Sequence, residues 1–517
     1  MRVTARRIGL GTGLATGLAA LAVAQPARAE WIEATTKHFI VYANGSTDSV
    51  RRQAEELERF DGVFRFFQDV PDAPEAQSNK LTVYVVGDAA AVRRLFGSGG
   101  SNIAGFYLPR ASGSVAFTPG RGDGDGVNGL QPQVVLFHEY AHHLLLGNFA
   151  AAYPAWFSEG YAEFLSTVRF DKDVFWVGAA AQHRAYTLRL GPSMTAEQLF
   201  AADRRKLSED QTAALYARGW LLTHLIETDM DRRKQFPTYL KALNDGVPGV
   251  EAAQRAFGDL KALNRQMDAR LKGSTLPAFR FPLSSLAQPT VTLRALRPGE
   301  KAMIALRMRS DRGVNRTTAQ PILADAIPIG ARFADDPTVQ GWLAEMALDA
   351  GRNDLAEAAA DRALAADPKS SQALVYKAQV HLRNARAAKA TDPAIWREAR
   401  GWLLKANALD PDDAYALLLY YSSFGMAGVK PTDNAKAALA RAHELVPQDP
   451  GLGYAYATQS LFDGKLDQAR TALRPLAYSA HSGADNPAAK LLAALDAGKT
   501  GAAAVAAGGG GSEGAAD

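Results

Sequence analysis

An α+β domain followed by an α-helical solenoid is the architecture predicted for this 517-residue chain, and three observations predict it. Strand-like segments alternate with an amphipathic helix between residues 30 and 120. Apolar helical stretches fill most of residues 131 to 272. From about residue 336 the composition turns Ala-rich, and small residues recur at fixed offsets from prolines.

The first 29 residues have the layout of a secretory signal peptide. Met1-Arg2 and Arg6-Arg7 precede an apolar Ala/Gly/Leu-rich stretch from Ile8 to Ala24, and Ala27-Arg28-Ala29 is a small-x-small cleavage site. A permanent span needs about 20 strongly apolar residues. This stretch is shorter and glycine-rich, so no stable membrane insertion is expected after cleavage. The leader holds four arginines and no acid, and without it 54 basic residues face 54 acidic ones. The formal charge of +4 therefore belongs to the leader, and nothing points to nucleic acid. The chain has no cysteine, which excludes thiolate zinc sites, a cysteine nucleophile and a lipoprotein anchor. An exported chain without disulfides must rely on large apolar cores. A bacterial periplasmic or secreted location is the expectation.

Residues 30–275 are expected to form one domain, with a sheet lobe over 30–120 and a helical lobe over 121–275. His38 to Tyr42 and Lys80 to Val86 carry the β-branched and aromatic residues of strands, and Ser49 to Phe67 between them is a charged amphipathic helix. Gly120 to Gly129 is a glycine-rich loop. Helices are expected around Gln211 to Glu227 and Arg232 to Leu243. Pro277, Pro282 and Pro289 mark a linker over 276–335, with a short hairpin turning at Pro298-Gly299.

The chemistry concentrates at His138-Glu139-Tyr140-Ala141-His142. On a helix, residues four apart lie one turn above each other, so both imidazoles can reach one metal ion while Glu139 overhangs its open side. Val134 to Phe137 before the run and Leu144 to Leu146 after it describe a buried helix, where two bare imidazoles need partners. Gly147-Asn148 closes it. A catalytic zinc ion takes three protein ligands and leaves a fourth position to water. The third ligand must be a carboxylate or a histidine, and Glu159, near the start of a second apolar helix from Ala155 to Thr167 reached through Pro154, can be presented to the two histidines. Glu163, one turn on, is expected to orient a ligating imidazole from behind. His143 points about 100° away from His142 and is expected to be structural.

H-E-x-x-H followed by Trp156-Phe157-Ser158-Glu159-Gly160 resembles the gluzincin metallopeptidases, the clan of thermolysin and aminopeptidase N. The resemblance covers roughly residues 100 to 230 and implies a mixed sheet lobe plus a helical lobe. It further implies one Zn2+ held by His138, His142 and Glu159, with Glu139 as the general base. Tyr216-Ala217-Arg218-Gly219 resembles the Tyr-x-Lys-Gly helix start of the aminopeptidase N branch, which implies that Tyr216 stabilises the oxyanion. Two departures limit the resemblance. The spacing from His142 to Glu159 is slightly shorter than in the aminopeptidases, and their Gly-x-Met-Glu-Asn segment is absent, so exopeptidase activity is not implied. In gluzincins an edge strand beside the zinc helix pairs with the substrate backbone, and Gly113 to Thr118 is the local candidate. Export followed by helical repeats is most similar to the bacterial peptidase MA-like proteins.

The C-terminal repeat emerges when segments are aligned on Pro368, Pro411 and Pro447. Alanines stand twelve and five residues before each: Ala356 and Ala363, Ala399 and Ala406, Ala435 and Ala442. The pattern resembles the second helix of tetratricopeptide (TPR) repeats, where alanines let paired helices approach closely. The repeats are expected over 336–497, with a disordered Ala/Gly tail over 498–517.

The expected function is zinc-dependent endopeptidase cleavage of a protein or peptide, with the repeats docking substrate or a partner. A zinc ion with three protein ligands brings the pKa of its water to about 7. The alternative is a TPR-type binding scaffold carrying a weakly active or inactive peptidase domain.

Overall fold

A computed structural model describes residues 30–72, 79–97, 103–122, 131–149, 151–203, 206–273, 275–478 and 486–508. The expected leader, residues 1–29, and most of the Gly120 to Gly129 segment lie outside these residues. No helix among the described residues is long and apolar enough to cross a membrane.

The N-terminal part runs β1 (Glu30–Thr35), β2 (Phe39–Gly45), α1 (Thr47–Gln68), β3 (Leu81–Val86), α2 (Ala89–Phe96), β4 (Phe106–Leu108) and β5 (Val115–Pro119). Then come α3 (Pro132–Asn148), α4 (Ala155–Ser166), β6 (Arg169–Phe170), β7 (Val174–Val177), α5 (Ala185–Arg189), α6 (Ala196–Ala201) and α7 (Glu209–Thr228). After α8 (Met230–Asn244), α9 (Gly249–Phe257) and α10 (Leu260–Lys272), two strands return to earlier parts of the chain. β8 (Phe279–Pro282) pairs with β7, and β9 (Thr292–Ala295) pairs antiparallel with β1. The main sheet has the order β4-β5-β3-β2-β1-β9, in which β2, β3 and β5 are parallel and β4 is antiparallel to β5.

This sheet is apolar on both faces, as its alternating residues dictate. Phe39, Val41, Val83, Val85 and Ala116 point into one core with α1, α3, α4 and α7. Tyr42, Tyr84, Val86, Phe106 and Phe117 point into a second core. That second core is closed by α11 (Pro298–Asp311), α12 (Arg316–Arg332) and α13 (Pro337–Asp349).

The 276–335 stretch is therefore not a linker with a hairpin at Pro298-Gly299. Its two strands complete two sheets, and Pro298 opens α11 as the first helical residue while Glu300 accepts from the Arg297 backbone N–H. Proline is preorganised for that first position, so a Pro-Gly pair there starts a helix instead of turning a hairpin. Glu300 is fully buried and bonded to Arg294 of β9, which also holds Glu33 of β1.

From α13 onward antiparallel helix pairs stack into a solenoid: α14 (Asn353–Ala366), α15 (Ser371–Ala387), α16 (Pro393–Leu409), α17 (Ala414–Met426), α18 (Asp433–Leu445), α19 (Pro450–Phe462) and α20 (Leu466–Ala477). All six periodic alanines are 0% exposed, so each lets its helix close onto a neighbour. The tail is shorter than expected, because α21 (Pro487–Asp496) is followed by α22 (Gly501–Ala507), whose Ala504 packs with Leu491 and Leu495. Residues 509–517 lie outside the described part.

The solenoid also touches the sheet lobe. Asp449 accepts from the Ala111 backbone N–H at 2.6 Å, and Asn79 donates to the Asp412 carbonyl at 2.6 Å.

His38 bridges the start of β2 to α1. Its Nδ1 lies 2.7 Å from Glu58 and its Nε2 3.0 Å from Asp72. Burial works against its protonation, but the Glu58 bond and the charges of Asp61 and Glu58 outweigh burial and Arg65, so the His38 pKa is raised. Such a group contributes stability fully below its unfolded pKa of about 6.5, and that contribution is lost as pH rises through the folded value. Glu58 is shifted the other way: although burial raises it, the His38 bond wins, so its contribution is lost only as pH falls through the acid range. The melting temperature is expected to decline as pH is raised above 6.5, and His38→Gln should flatten that segment of the profile. An unchanged slope in His38→Gln, measured by differential scanning calorimetry, would contradict this assignment.

Candidate metal centre

Helix α3 presents the two histidines because it is buried nearly all round, with Val135, Leu136, Phe137, Tyr140, Ala141, Leu144 and Leu145 packed into the core. Helix α4 is likewise buried along its length, from Trp156 to Ser166. It crosses α7 at a pair of glycines. A Cβ on Gly160 would stand 2.4 Å from the Gly219 carbonyl carbon, and one on Gly219 would stand 2.5 Å from the Trp156 oxygen. Only glycines allow this backbone-to-backbone contact, and it sets Glu159 on α4 and Tyr216 on α7 beside α3.

The structure brings His138, His142 and Glu159 together. The two Nε2 atoms are 3.2 Å apart, and Oε2 of Glu159 lies 3.4 Å from each. Glu159 is 0% exposed, so its carboxylate sits out of water between two imidazoles. A tetrahedral zinc ion with bonds of about 2.0–2.1 Å separates its ligand atoms by about 3.3–3.4 Å. The donor triangle fits that spacing, and the donor set of two nitrogens and one carboxylate oxygen suits zinc.

Each histidine is also held on its far nitrogen. Glu163 lies 3.5 Å from His138 Nδ1, and the Ser158 hydroxyl lies 3.5 Å from His142 Nδ1. Behind Glu163 stand two residues that no motif marked. His183 Nε2 is 2.6 Å from its Oε2, and the Arg184 guanidinium donates to its Oε1. Burial raises the Glu163 pKa, yet the charge of Arg184 and the His183 bond overcome it and hold the carboxyl well below the usual carboxylate range. His138 is shifted upward: burial lowers it, but the Glu159 bond and the charges of Glu163, Glu139 and Glu159 prevail.

Glu139 is half-buried. Its Cγ would stand 3.8 Å from a Cβ on Gly105, whose bare backbone also passes against Val135, so the chain entering β4 runs close over α3 at the general-base candidate.

Tyr216 lies in the second turn of α7, with its ring parallel to that of His138, the centroids 6.0 Å apart and the planes 13° apart. The Arg184 guanidinium lies 5.1 Å from the Tyr216 ring centroid. Arg218, in the same segment, is used elsewhere: it donates to Met194, Asn264 and Asp268 and ties α7 to α10.

His143 stands apart from the donor triangle. Its Nδ1 lies 2.6 Å from the Tyr107 hydroxyl on β4, its ring stacks on Tyr140, and burial pushes its pKa down to about 3.

The edge-strand candidate needs correction. Gly113 to Thr118 covers all of β5 but Pro119, and β5 lies between β3 and β4, with Val115 to Phe117 paired on both sides. The edge beside α3 is β4, Phe106–Leu108.

No family model matches the chain. No curated protein matches it. Among solved structures it is similar to TTC0263, a thermophilic TPR protein of Thermus thermophilus, at 20% identity over 35% of this chain and 93% of that chain, with a TM-score of 0.30. It is also similar to MamA from Desulfovibrio magneticus, at 16% identity over 34% of this chain and 93% of that one, with a TM-score of 0.26.

Proposed function

We propose that this chain is an exported zinc metalloendopeptidase whose helical repeats bind a protein substrate or partner. The observation that carries the reading is the triangle of His138, His142 and Glu159, with donor atoms 3.2 to 3.4 Å apart. A scaffold has no use for a buried carboxylate set between two imidazoles, with Glu139 on the same helix.

His138, His142 and Glu159 would hold the ion. When bound, zinc supplies the Lewis acidity that polarises a carbonyl and brings the ionisation of water near neutral pH. Glu139 takes the proton of the attacking water and returns it to the leaving amine. Tyr216 donates from its hydroxyl to the carbonyl oxygen as that oxygen gains charge. Strand β4 offers its outer backbone edge to an extended peptide, which aligns the scissile bond. Glu163 keeps the His138 ring in register from behind.

The test is cleavage of a denatured protein mixture with and without a chelator. Cleavage that stops on chelation and returns with zinc is expected. A protein that carries zinc at one ion per chain yet leaves every substrate intact would favour the second reading, a repeat scaffold with an inert peptidase lobe. On that reading a partner peptide would lie in the groove between α16, α17 and α18, lined by Leu403, Leu404, Leu417, Tyr420, Ala437 and Arg441.

A further inference from the structure

We infer that Arg184 is a positioning residue of the metal centre, a single guanidinium that fixes both the carboxylate behind His138 and the phenol ring in front of it. The inference rests on the metal-centre reading above and adds a residue that reading does not use.

Three contacts carry it. The guanidinium donates to Oε1 of Glu163, and the same oxygen lies 3.5 Å from His138 Nδ1. The guanidinium carbon stands 5.1 Å from the centroid of Tyr216, within cation–π range. The Tyr216 ring in turn lies parallel to the His138 ring. Arg184 therefore acts on the His138 ligand through Glu163 and, separately, places the Tyr216 ring beside it. Its Nε is buried and finds no acceptor among the described residues.

Local structure explains why this arginine is available. Gln182–Arg184 forms one 3-10 turn ahead of α5, and His183 and Arg184 from that turn both converge on Glu163. Glu163 is 2% exposed, and a carboxylate so far from water needs hydrogen-bonding partners, which His183 and Arg184 supply. Held in this way, Glu163 Oε1 faces His138 Nδ1 at 3.5 Å, on the side of the ring away from the donor triangle. Lysine at position 184 keeps the charge toward Glu163 but lacks the planar face that lies on Tyr216.

The test is zinc affinity, measured by chelator competition, for the full chain and for Arg184→Ala, Glu163→Gln and the double variant, together with the melting temperature of each metal-free protein. Each single change is expected to weaken zinc binding by about 10–100-fold. The double variant should bind no more weakly than Glu163→Gln alone, because Arg184 acts on the metal ligands through that carboxylate. Wild-type affinity in Arg184→Ala, or losses that add in the double variant, would overturn the inference. Should Arg184→Ala fail to fold, Arg184→Lys takes its place in the same cycle. Lysine is expected to retain most of the zinc affinity while lowering kcat at unchanged KM, and an affinity as weak as Glu163→Gln would overturn it. A wild-type chain that binds no zinc refutes the metal-centre reading itself, a result distinct from any of these.

Discussion

Glu139→Gln is expected to keep one zinc ion per chain and to lose hydrolysis by about 10²–10⁴-fold. The side chain keeps its shape, and Glu139 is outside the triangle formed by His138, His142 and Glu159, so metal content should not change. What disappears is a carboxylate able to take a proton from water and pass it to the departing amine. The amide has no basic oxygen at neutral pH, so it cannot substitute. A small further effect is expected on His138, because the charge of Glu139 contributes to the raised basicity of that ring. The measurement pairs the cleavage rate of an unfolded protein substrate with zinc content by atomic emission. Undiminished zinc-dependent turnover in Glu139→Gln would refute the assignment of the base.

The second large effect concerns folding. A fragment ending at residue 275, where the sequence suggests that the N-terminal domain closes, is expected not to fold cooperatively. It lacks β9 from the edge of the main sheet and β8 from the small one. It also leaves Tyr42, Tyr84, Val86, Phe106 and Phe117 facing water, where the intact chain covers them with Met303, Ile304, Leu306, Ile322 and Trp342. Uncovering one such side chain costs about 1.5–3 kcal/mol. Five of them amount to on the order of 10 kcal/mol, which is the whole stability of a typical domain at about 5–15 kcal/mol. The Tyr84 hydroxyl, which donates to Asp311 at 2.5 Å, would lose its buried partner as well. A fragment carried through Ala366 restores these elements and is expected to melt cooperatively. A cooperative transition and native near-UV circular dichroism in the 30–275 fragment would contradict this account of the second core.

What could be read from the residues, and what could not, divides along physical lines. The helix bearing His138 and His142 is legible because the H-E-x-x-H spacing falls inside a continuous apolar run, and Glu159 because its helix follows one short loop later. The solenoid alanines are legible because close helix packing repeats at every unit, and their complete burial follows from that packing. Strand β4 escapes because three residues are too few to show alternation. Helix α12 is concealed by Pro321 and Pro328 in its interior, and α11 by a Pro-Gly pair that also suits a turn. A signal for the covered second face was present in Leu81-Thr-Val-Tyr-Val-Val86. A strand apolar on both faces belongs to a sheet covered on both sides, and the only chain left to cover it was downstream. His183 and Arg184 carry no such signal: they lie about twenty residues beyond Glu163 in a single turn, and only the tertiary fold brings them to it.

The central claim is that one divalent ion belongs between α3 and α4. Anomalous diffraction collected on both sides of the zinc absorption edge, from crystals of the full chain grown with zinc, tests it most directly. The account predicts one strong peak at bonding distance, about 2.0–2.2 Å, from His138 Nε2, His142 Nε2 and a Glu159 oxygen. A map empty there, or a peak confined to the other His and carboxylate group at His38, Asp61 and Asp72, would contradict it.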